Sequence, residues 1–456
     1  MSSIHSHNSR SFTLDSSGIA GFFGGEEALS AMATVHLYKG RRWVGWYNSP
    51  GSWFIAKEYG KLAKGRFWRG LYPGAEIEPV ELFELGGKKT PKFIGAGSGT
   101  VIEETSQLGY LLMKQCDLLK EKPPKYDGRK TTPVAVTVAS LKAPNVDEQN
   151  QLHCPAAKID FTVLWPSAFP ILTSIGTCVA CGVFQDWFAF AMILVGILAN
   201  GLTCLVIGSG KLFVNRVKPA PAVPIGDGVL IGKKTASIIR GSEAATAQVT
   251  RGSFDLEFDD SPFYRLSRSF GLPAYTEVGV CCMLLTTQFL VQILFMPQAT
   301  LFGQIMFLSS FGVSWCFNAF LSSIEKEKMQ RNVLLSKEIL ELDHDKSSGK
   351  YILGTRTAMA VFVVLVLKPK DPLALLNNLI PNDTPVWKSF KKEMAGRLEE
   401  NLSDFSFEVG EGDEGVSFKE DLEKDVRDTY IYYRKHFESE QNRLTMVSDF
   451  GSDKIV

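Results

Sequence analysis

Few residues of this chain are spaced for chemistry. The six histidines, His5, His7, His36, His153, His344 and His436, are scattered, and none has a second ligand at metal-site spacing. Cys178 and Cys181 form a Cys-x-x-Cys pair inside an apolar stretch. No second pair follows, so they are expected to be small packing residues. Asp255, Glu257, Asp259 and Asp260 crowd one segment. Four carboxylates suit calcium within an EF-hand loop, but that spacing is absent, so a solvated strand face is expected. Residues 95–100 (GAGSGT) have backbone N–H groups that suit an anion. They match neither the dinucleotide fingerprint nor the phosphate loop, and they read as a strand-to-helix turn. No HExxH, GxSxG or GxxxxGK[ST] occurs. The sequence therefore offers no catalytic, cofactor-binding or metal residue, and no cofactor is expected.

Two polar patterns remain. Segment 36–72 carries Lys39, Arg41, Arg42, Lys57, Lys61, Lys64, Arg66 and Arg69 against Glu58 alone. Ten aromatics are interleaved with them, including Trp43, Trp46, Trp53 and Trp68. Basic residues and tryptophan together suit the cytosolic leaflet, where anionic headgroups lie. Arg41, Arg42, Trp43, Trp46, Trp53, Lys61, Lys64, Arg66, Trp68 and Arg69 are the candidate lipid-surface residues. The plainer alternative is a small β core with solvated basic residues, RWVGWY (42–47) and WFIA (53–56) being strands around the turn NSPGS. The second pattern is polar residues at helical spacing inside apolar stretches. Asn200, Gln288, Gln292, Ser314 and Asn318 are the candidates for polar helix-packing contacts. A substrate path is the sharper alternative.

The elements that must position these residues follow from where charge is missing. The chain has 456 residues, 49 basic and 49 acidic, so its formal charge is zero. Neutrality gives no case for nucleic acid, and none is expected as a partner. The charges leave gaps of 25 residues between Asp160 and Asp186, 24 between Asp186 and Lys211, and 47 between Glu277 and Glu325. A bilayer core of about 30 Å takes about 20 helical residues. The first two gaps hold one span each, near 168–184 and 187–207. The third holds two, near 275–295 and 300–321, with Pro297 at the turn. The run 357–367 (TAMAVFVVLVL) is too short to cross, and reads as a buried strand or a half-immersed helix. The N-terminus has no apolar leader, so the first span is expected to act as the insertion signal.

Lys211, Arg216, Lys218, Arg265, Arg268, Lys326, Lys328 and Arg331 flank the spans on one face, while the connectors around Asp186 and Pro297 lack Lys and Arg. The positive-inside rule then puts both termini in the cytosol. The expected fold class is an integral membrane, α-helical protein with four transmembrane helices as two hairpins, a cytosolic α+β N-terminal region and a helical C-terminal region. The expected divisions are a flexible tail (1–32), the α+β region (33–165), the first hairpin (166–210), a cytosolic loop with short strands (211–273), the second hairpin (274–322) and a cytosolic helical region (323–456). Strands are expected at 80–85, 92–94, 133–141, 158–165, 229–240 and 247–258. Helices are expected at 101–120 (behind a capping box at Thr100 and Glu103), 386–402 and 418–437.

The run LGTRTAMAVFVVLVLKPKDPLALLNNLIPNDTPVWKSFKK (353–392), after SSIEKEKMQR, resembles a group of uncharacterised fungal multi-pass membrane proteins. That resemblance implies membrane localisation and a fungal source; it implies no activity and carries no functional residue. The expected partners are the lipid bilayer, anionic headgroups, and either further copies or other proteins. The expected function is a structural or interaction scaffold with a cytosolic assembly surface. One alternative is a subunit of an oligomeric transporter or channel. The other is an enzyme at the lipid interface, combining Glu277, Arg265 or Arg268 with the 95–100 loop.

Overall fold

The computed structural model describes residues 24–35, 40–74, 77–83, 85–122, 125–142, 151–153, 165–215, 217, 223–258, 269–273, 275–334, 341–343, 349–408 and 416–438. His5, His7, His36, His344, Lys39, Asp259, Asp260, Arg265 and Arg268 lie outside the described residues, as does the strand expected at 158–165. The helices are α1 (Gly25–Met32), α2 (Ser52–Tyr59), α3 (Arg66–Leu71), α4 (Pro79–Leu82), α5 (Gln107–Asp117), α6 (Ala168–Val183), α7 (Trp187–Ile207), α8 (Glu243–Arg251), α9 (Thr276–Phe295), α10 (Leu301–Ser322), α11 (Lys326–Leu334), α12 (Arg356–Leu367), α13 (Pro372–Leu379), α14 (Pro385–Gly396) and α15 (Val416–Tyr433). The strands are β1 (Lys92–Gly95), β2 (Val101–Ile102), β3 (Val134–Lys142), β4 (Gln151–His153), β5 (Lys211–Asn215), β6 (Gly228–Ile231), β7 (Thr235–Gly241), β8 (Ser253–Glu257), β9 (Glu341–Asp343) and β10 (Gly349–Leu353). They divide between two units. One holds Met1–Glu84, Pro155–Phe213 and Asp255–Met329, and the other holds Leu85–Cys154, Val214–Phe254 and Gln330–Val456. The expected region 33–165 is thus shared between units.

The first unit is helical. Four of its helical stretches, Trp165–Val183, Trp187–Ile207, Thr276–Gln298 and Leu301–Ser322, are long and apolar enough to cross a membrane. They are inside out relative to a water-soluble bundle. Leu172, Ile175, Val179, Leu198, Leu290, Leu294 and Ile305 are exposed, while Ser174, Asn200, Gln288, Gln292, Ser310, Ser314 and Asn318 are buried. That arrangement is the one suited to an apolar solvent, where burial among protein groups is the only way to satisfy a polar side chain. Asp186 joins two helix starts. Its Oδ1 accepts from Ala189 N at 3.2 Å, capping α7. Its Oδ2 accepts from Thr300 N at 2.9 Å and from Thr300 Oγ1 at 2.5 Å, and Thr300 caps α10. Gln185, at φ 58°, makes the turn before Asp186.

The second unit carries a seven-stranded sheet in the order β10-β3-β7-β6-β1-β2, with β9 also on β3. β3 and β7 are parallel, with Val136 opposite Ala236 and Val138 opposite Ile238. The other described pairings in this sheet are antiparallel. The run 357–367 is a helix, α12, and every residue from Thr357 to Leu367 in it is buried. A helix apolar on all sides belongs in a core. Thr355 caps α12, accepting from Ala358 N at 3.0 Å. Thr355 Oγ1 also donates to Asp425 Oδ2 at 2.9 Å, and Arg129 Nη2 donates to the same oxygen at 3.0 Å. One buried carboxylate on α15 thereby ties the start of α12 to the loop before β3.

Several short segments differ from expectation. Segments 42–47 and 53–56 are not a hairpin: Arg41–Trp43 is a 3-10 turn and 53–56 lies in α2. Gly51, at φ 78°, starts α2 in place of a hairpin turn. Segment 80–85 enters α4 behind Pro79, whose fixed φ favours a helix start. Val101-Ile102 is a strand, so the capping box at Thr100 is not used, and α5 begins after Ser106. Segment 247–258 is split. Ser242 accepts from Ala245 N and starts α8, and only 253–257 is strand. At 53–56, 80–82 and 243–251 a cap or turn residue outweighed strand-forming content, whereas at 101–102 the β-branched pair outweighed the expected cap. The C-terminal region is not helical throughout, since it supplies β9 and β10.

Candidate functional site: a polar core around an inserted segment

The chain between α1 and α2 runs into the middle of the helical unit. Gly45 lies on Cys204, Trp46 on Gly201 and Asn48 on Gly196, successive steps along α7. Eight residues of helix correspond to about 12 Å of depth. The return path puts Trp53 against Phe289 and Trp68 against Gly279, ten residues along α9. α1 packs on α10 and α2 on α9. Only an absent side chain admits this path. A Cβ on Gly201 would lie 2.2 Å from the Trp46 ring, and one on Gly196 would lie 1.9 Å from Asn48 Oδ1.

Asn48, wholly buried, touches all four long helices. Its backbone N–H donates to Ser174 Oγ (3.0 Å) on α6, and its Nδ2 donates to Ser310 Oγ (2.9 Å) on α10. Its Oδ1 accepts from Gln292 Nε2 (3.4 Å) on α9 and abuts Gly196 on α7. Gln292 Nε2 also donates to the Met192 carbonyl at 3.0 Å, and Gln288 Nε2 donates to Gln292 Oε1 at 3.3 Å. A second chain of bonds runs beside the first. Arg41 Nη2 donates to Tyr47 Oη (3.4 Å), Tyr47 donates to Asn318 Oδ1 (2.9 Å), and Asn318 Nδ2 donates to Ser49 Oγ (3.0 Å). Asn200 Nδ2 donates to the Gly45 carbonyl at 2.7 Å, holding the descending backbone. Non-helical backbone inside an apolar bundle needs partners of this kind. Among the described residues, Arg41 Nε and Nη1, Gln288 Oε1 and Ser314 Oγ are buried without a partner.

The candidate lipid-surface residues divide. Trp43 is exposed, with Arg42 stacked over its ring at 5.3 Å. Arg66 and Arg69 are exposed, and Trp53 is at the edge of exposure. Trp46 is half-buried, while Trp68 and Arg41 are buried. Lys61 pairs with Glu58 at 2.7 Å and Lys64 with Glu78 at 3.0 Å. The five candidate packing residues, Asn200, Gln288, Gln292, Ser314 and Asn318, are all buried in the first unit. Sequence reasoning missed the inserted-segment partners: Asn48 of Gln292, Tyr47 and Ser49 of Asn318, and the Gly45 carbonyl of Asn200. The available signal was a Pro-Gly turn (NSPG) flanked by aromatics and free of charge from Trp43 to Ala56.

Residues 95–100 join β1 to β2, so the turn leads to a strand and not a helix. Gly95, Ser98 and Thr100, together with Asp227, Glu243, Thr246, Thr250 and Arg251, line a cleft with room for little more than a water molecule. Both charge signs face it, which suits no single class of ion. Glu277 is buried at the start of α9, in the helical unit, whereas 95–100 belongs to the sheet unit. Among the described residues no group of His, Cys, Asp and Glu is placed to hold a metal. Comparison of the chain with protein-family models, with curated proteins and with solved structures finds no match.

Proposed function

We propose that the chain is a multi-pass membrane protein whose four long helices cross as two hairpins, with the termini and the 211–273 loop in the cytosol. Its role on this reading is structural: a membrane anchor that holds the sheet-bearing unit as a cytosolic assembly surface. One observation carries the reading. The seven-stranded sheet takes β1 to β3 from before α6, β6 and β7 from between α7 and α9, and β9 and β10 from after α10. A hydrogen-bonded sheet lies on one side of a bilayer, so each pair of helices has to return the chain to the side it left. The basic flanks then select the cytosol. Half-buried Arg42 and exposed Trp43, Arg66 and Arg69 are proposed to rest on the lipid surface. The test is proteolysis of sealed vesicles with the cytosolic face outward. Protease sites introduced at the exposed loop positions Lys89, Lys233 and Asn382 should all be cut. Cleavage at only one or two of them without detergent would break the reading.

A second reading is favoured by the inserted segment. Interrupted backbone and polar side chains at mid-depth are also how transporters build a site. As a subunit of an oligomeric transporter or channel, reconstituted protein would pass small solutes, and Asn48→Leu would stop them. A flux that is absent, or unchanged by Asn48→Leu, leaves the anchor.

A further inference from the structure

Arg41 is a buried cation whose hydrogen bonds are not completed among the described residues. Its side chain is 1% exposed. Nη2 donates to Tyr47 Oη at 3.4 Å, and the guanidinium carbon lies 5.5 Å from the centre of the Phe317 ring. Nε and Nη1 are buried and without a partner. A guanidinium only donates, and among the described residues the Tyr47 hydroxyl oxygen is its one side-chain acceptor. An arginine does not shed its proton in a protein. A buried ion with no counter-charge is among the costliest groups a fold can hold. A carboxylate would ordinarily fill the role, yet the described residues pair none with Arg41.

We propose that Arg41 is the centre of an anion-binding site in the helical unit. It takes a small anion whose charge sits on a halide or on a phosphate oxygen, supplied either by free ions or by a lipid headgroup. Nε and Nη1 supply the donors, the Tyr47 hydroxyl fixes the guanidinium, and Phe317 closes one face. The position suits delivery. Phe317 is five residues from the end of α10, about 8 Å of helix. The proposal does not depend on the anchor reading, because it concerns one residue's unmet charge and not the topology.

The test uses the full chain purified in neutral detergent, with gluconate as the starting anion. Chloride, inorganic phosphate and phosphatidic acid are titrated separately while thermal unfolding is followed. At least one should raise the midpoint saturably, by roughly 2–4 °C, and that response should vanish in Arg41→Met. The responding arm identifies the source. Equilibrium dialysis of wild type with labelled chloride or phosphate, or co-purified phosphatidic acid counted per chain, gives an independent readout should Arg41→Met fail to fold. About one bound anion per chain, weakened in Arg41→Lys, supports the site. No saturable response and no bound anion in wild type would overturn it, as would an equal response in Arg41→Met.

Discussion

At the scale of single residues, Asn48 and Gly196 set each other's identity. Asn48 spends its backbone N–H, its amide and its carbonyl oxygen on three different helices. Ser310 and Gln292 keep second partners, the carbonyls of Phe307 and Met192. The loss in Asn48→Ala should therefore be mild, about 1 kcal/mol, since such bonds average about 0.6 kcal/mol each. Gly196→Ala acts differently, because the new methyl would occupy the position of Asn48 Oδ1. Overpacking of that kind costs about 1–3 kcal/mol. Unfolding in mixed micelles should rank Gly196→Ala as the worse variant, and Asn48→Gly should recover part of the loss by removing the clashing amide. A double variant no better than Gly196→Ala would show that the two do not share this space. In the other unit, two buried tyrosines report on pH. Burial pushes Tyr126 and Tyr433 up from 10.0 to about 12. The unfolded chain then ionises first. The stability these groups contribute is complete below pH 10 and is lost as pH rises from there through 12. Unfolding midpoints from pH 8 to 11.5 should begin to fall above 9, where the buried Cys116 thiol, pushed up from 9.0 to about 12, adds its own loss, and fall more steeply above 10; Tyr126→Phe should flatten the steeper part.

Asp186 shows how one residue organises elements. It caps α7 directly and α10 through Thr300. Asp186→Ala removes the α7 cap, at about 0.5–2 kcal/mol, and the anchor on Thr300, whose own hydroxyl still accepts from Gly303 N. Asp186→Asn keeps one acceptor oxygen, so it should fall between wild type and Asp186→Ala in thermal unfolding; equal losses would mean that the cap and the anchor are not separable. Asp186 was legible only as a charge dividing two apolar gaps, because its partner Thr300 lies 114 residues away. The long helices themselves were legible, since a run of more than 20 uncharged residues has few other uses. The core helix α12 was legible as apolar but not as helical, because a short apolar run shows no period. The inserted segment was not legible as such. Its charges stand at its two ends, Lys39 to Arg42 and Lys57 onward, while 43–56 carries none. Averaged over 36–72 it reads as a basic surface. The polar stripes on α9 and α10 were visible, but nothing local says that their partner is a loop and not another helix.

At the scale of the whole molecule, the sheet is what makes the proposed topology testable. Its three contributing stretches cannot pair if either helix pair leaves the chain on the far side. The sheet unit carries two glycosylation sequons, at Asn382 and Asn401, both with exposed asparagines. Exposure matters, because an unmodified buried sequon says nothing about sidedness. On the proposed topology neither site meets the lumenal glycosylation machinery, so endoglycosidase treatment of the native protein should leave its mobility unchanged. A flexible sequon-bearing loop inserted between Met296 and Thr300 should be modified, since that connector would be lumenal. The informative variant removes one crossing. Deleting residues 187–207 takes out α7 and would leave the chain after α6 on the wrong side, or force α9 or α10 to stay out of the membrane. In either event β6 and β7 can no longer join β1 and β3, and α12 loses the sheet that covers it. Such a chain should be degraded rapidly or carry glycan at Asn401. If it accumulates unglycosylated and as protease-resistant as the parent, the sheet does not need both helix pairs to return, and the two-hairpin topology falls with it.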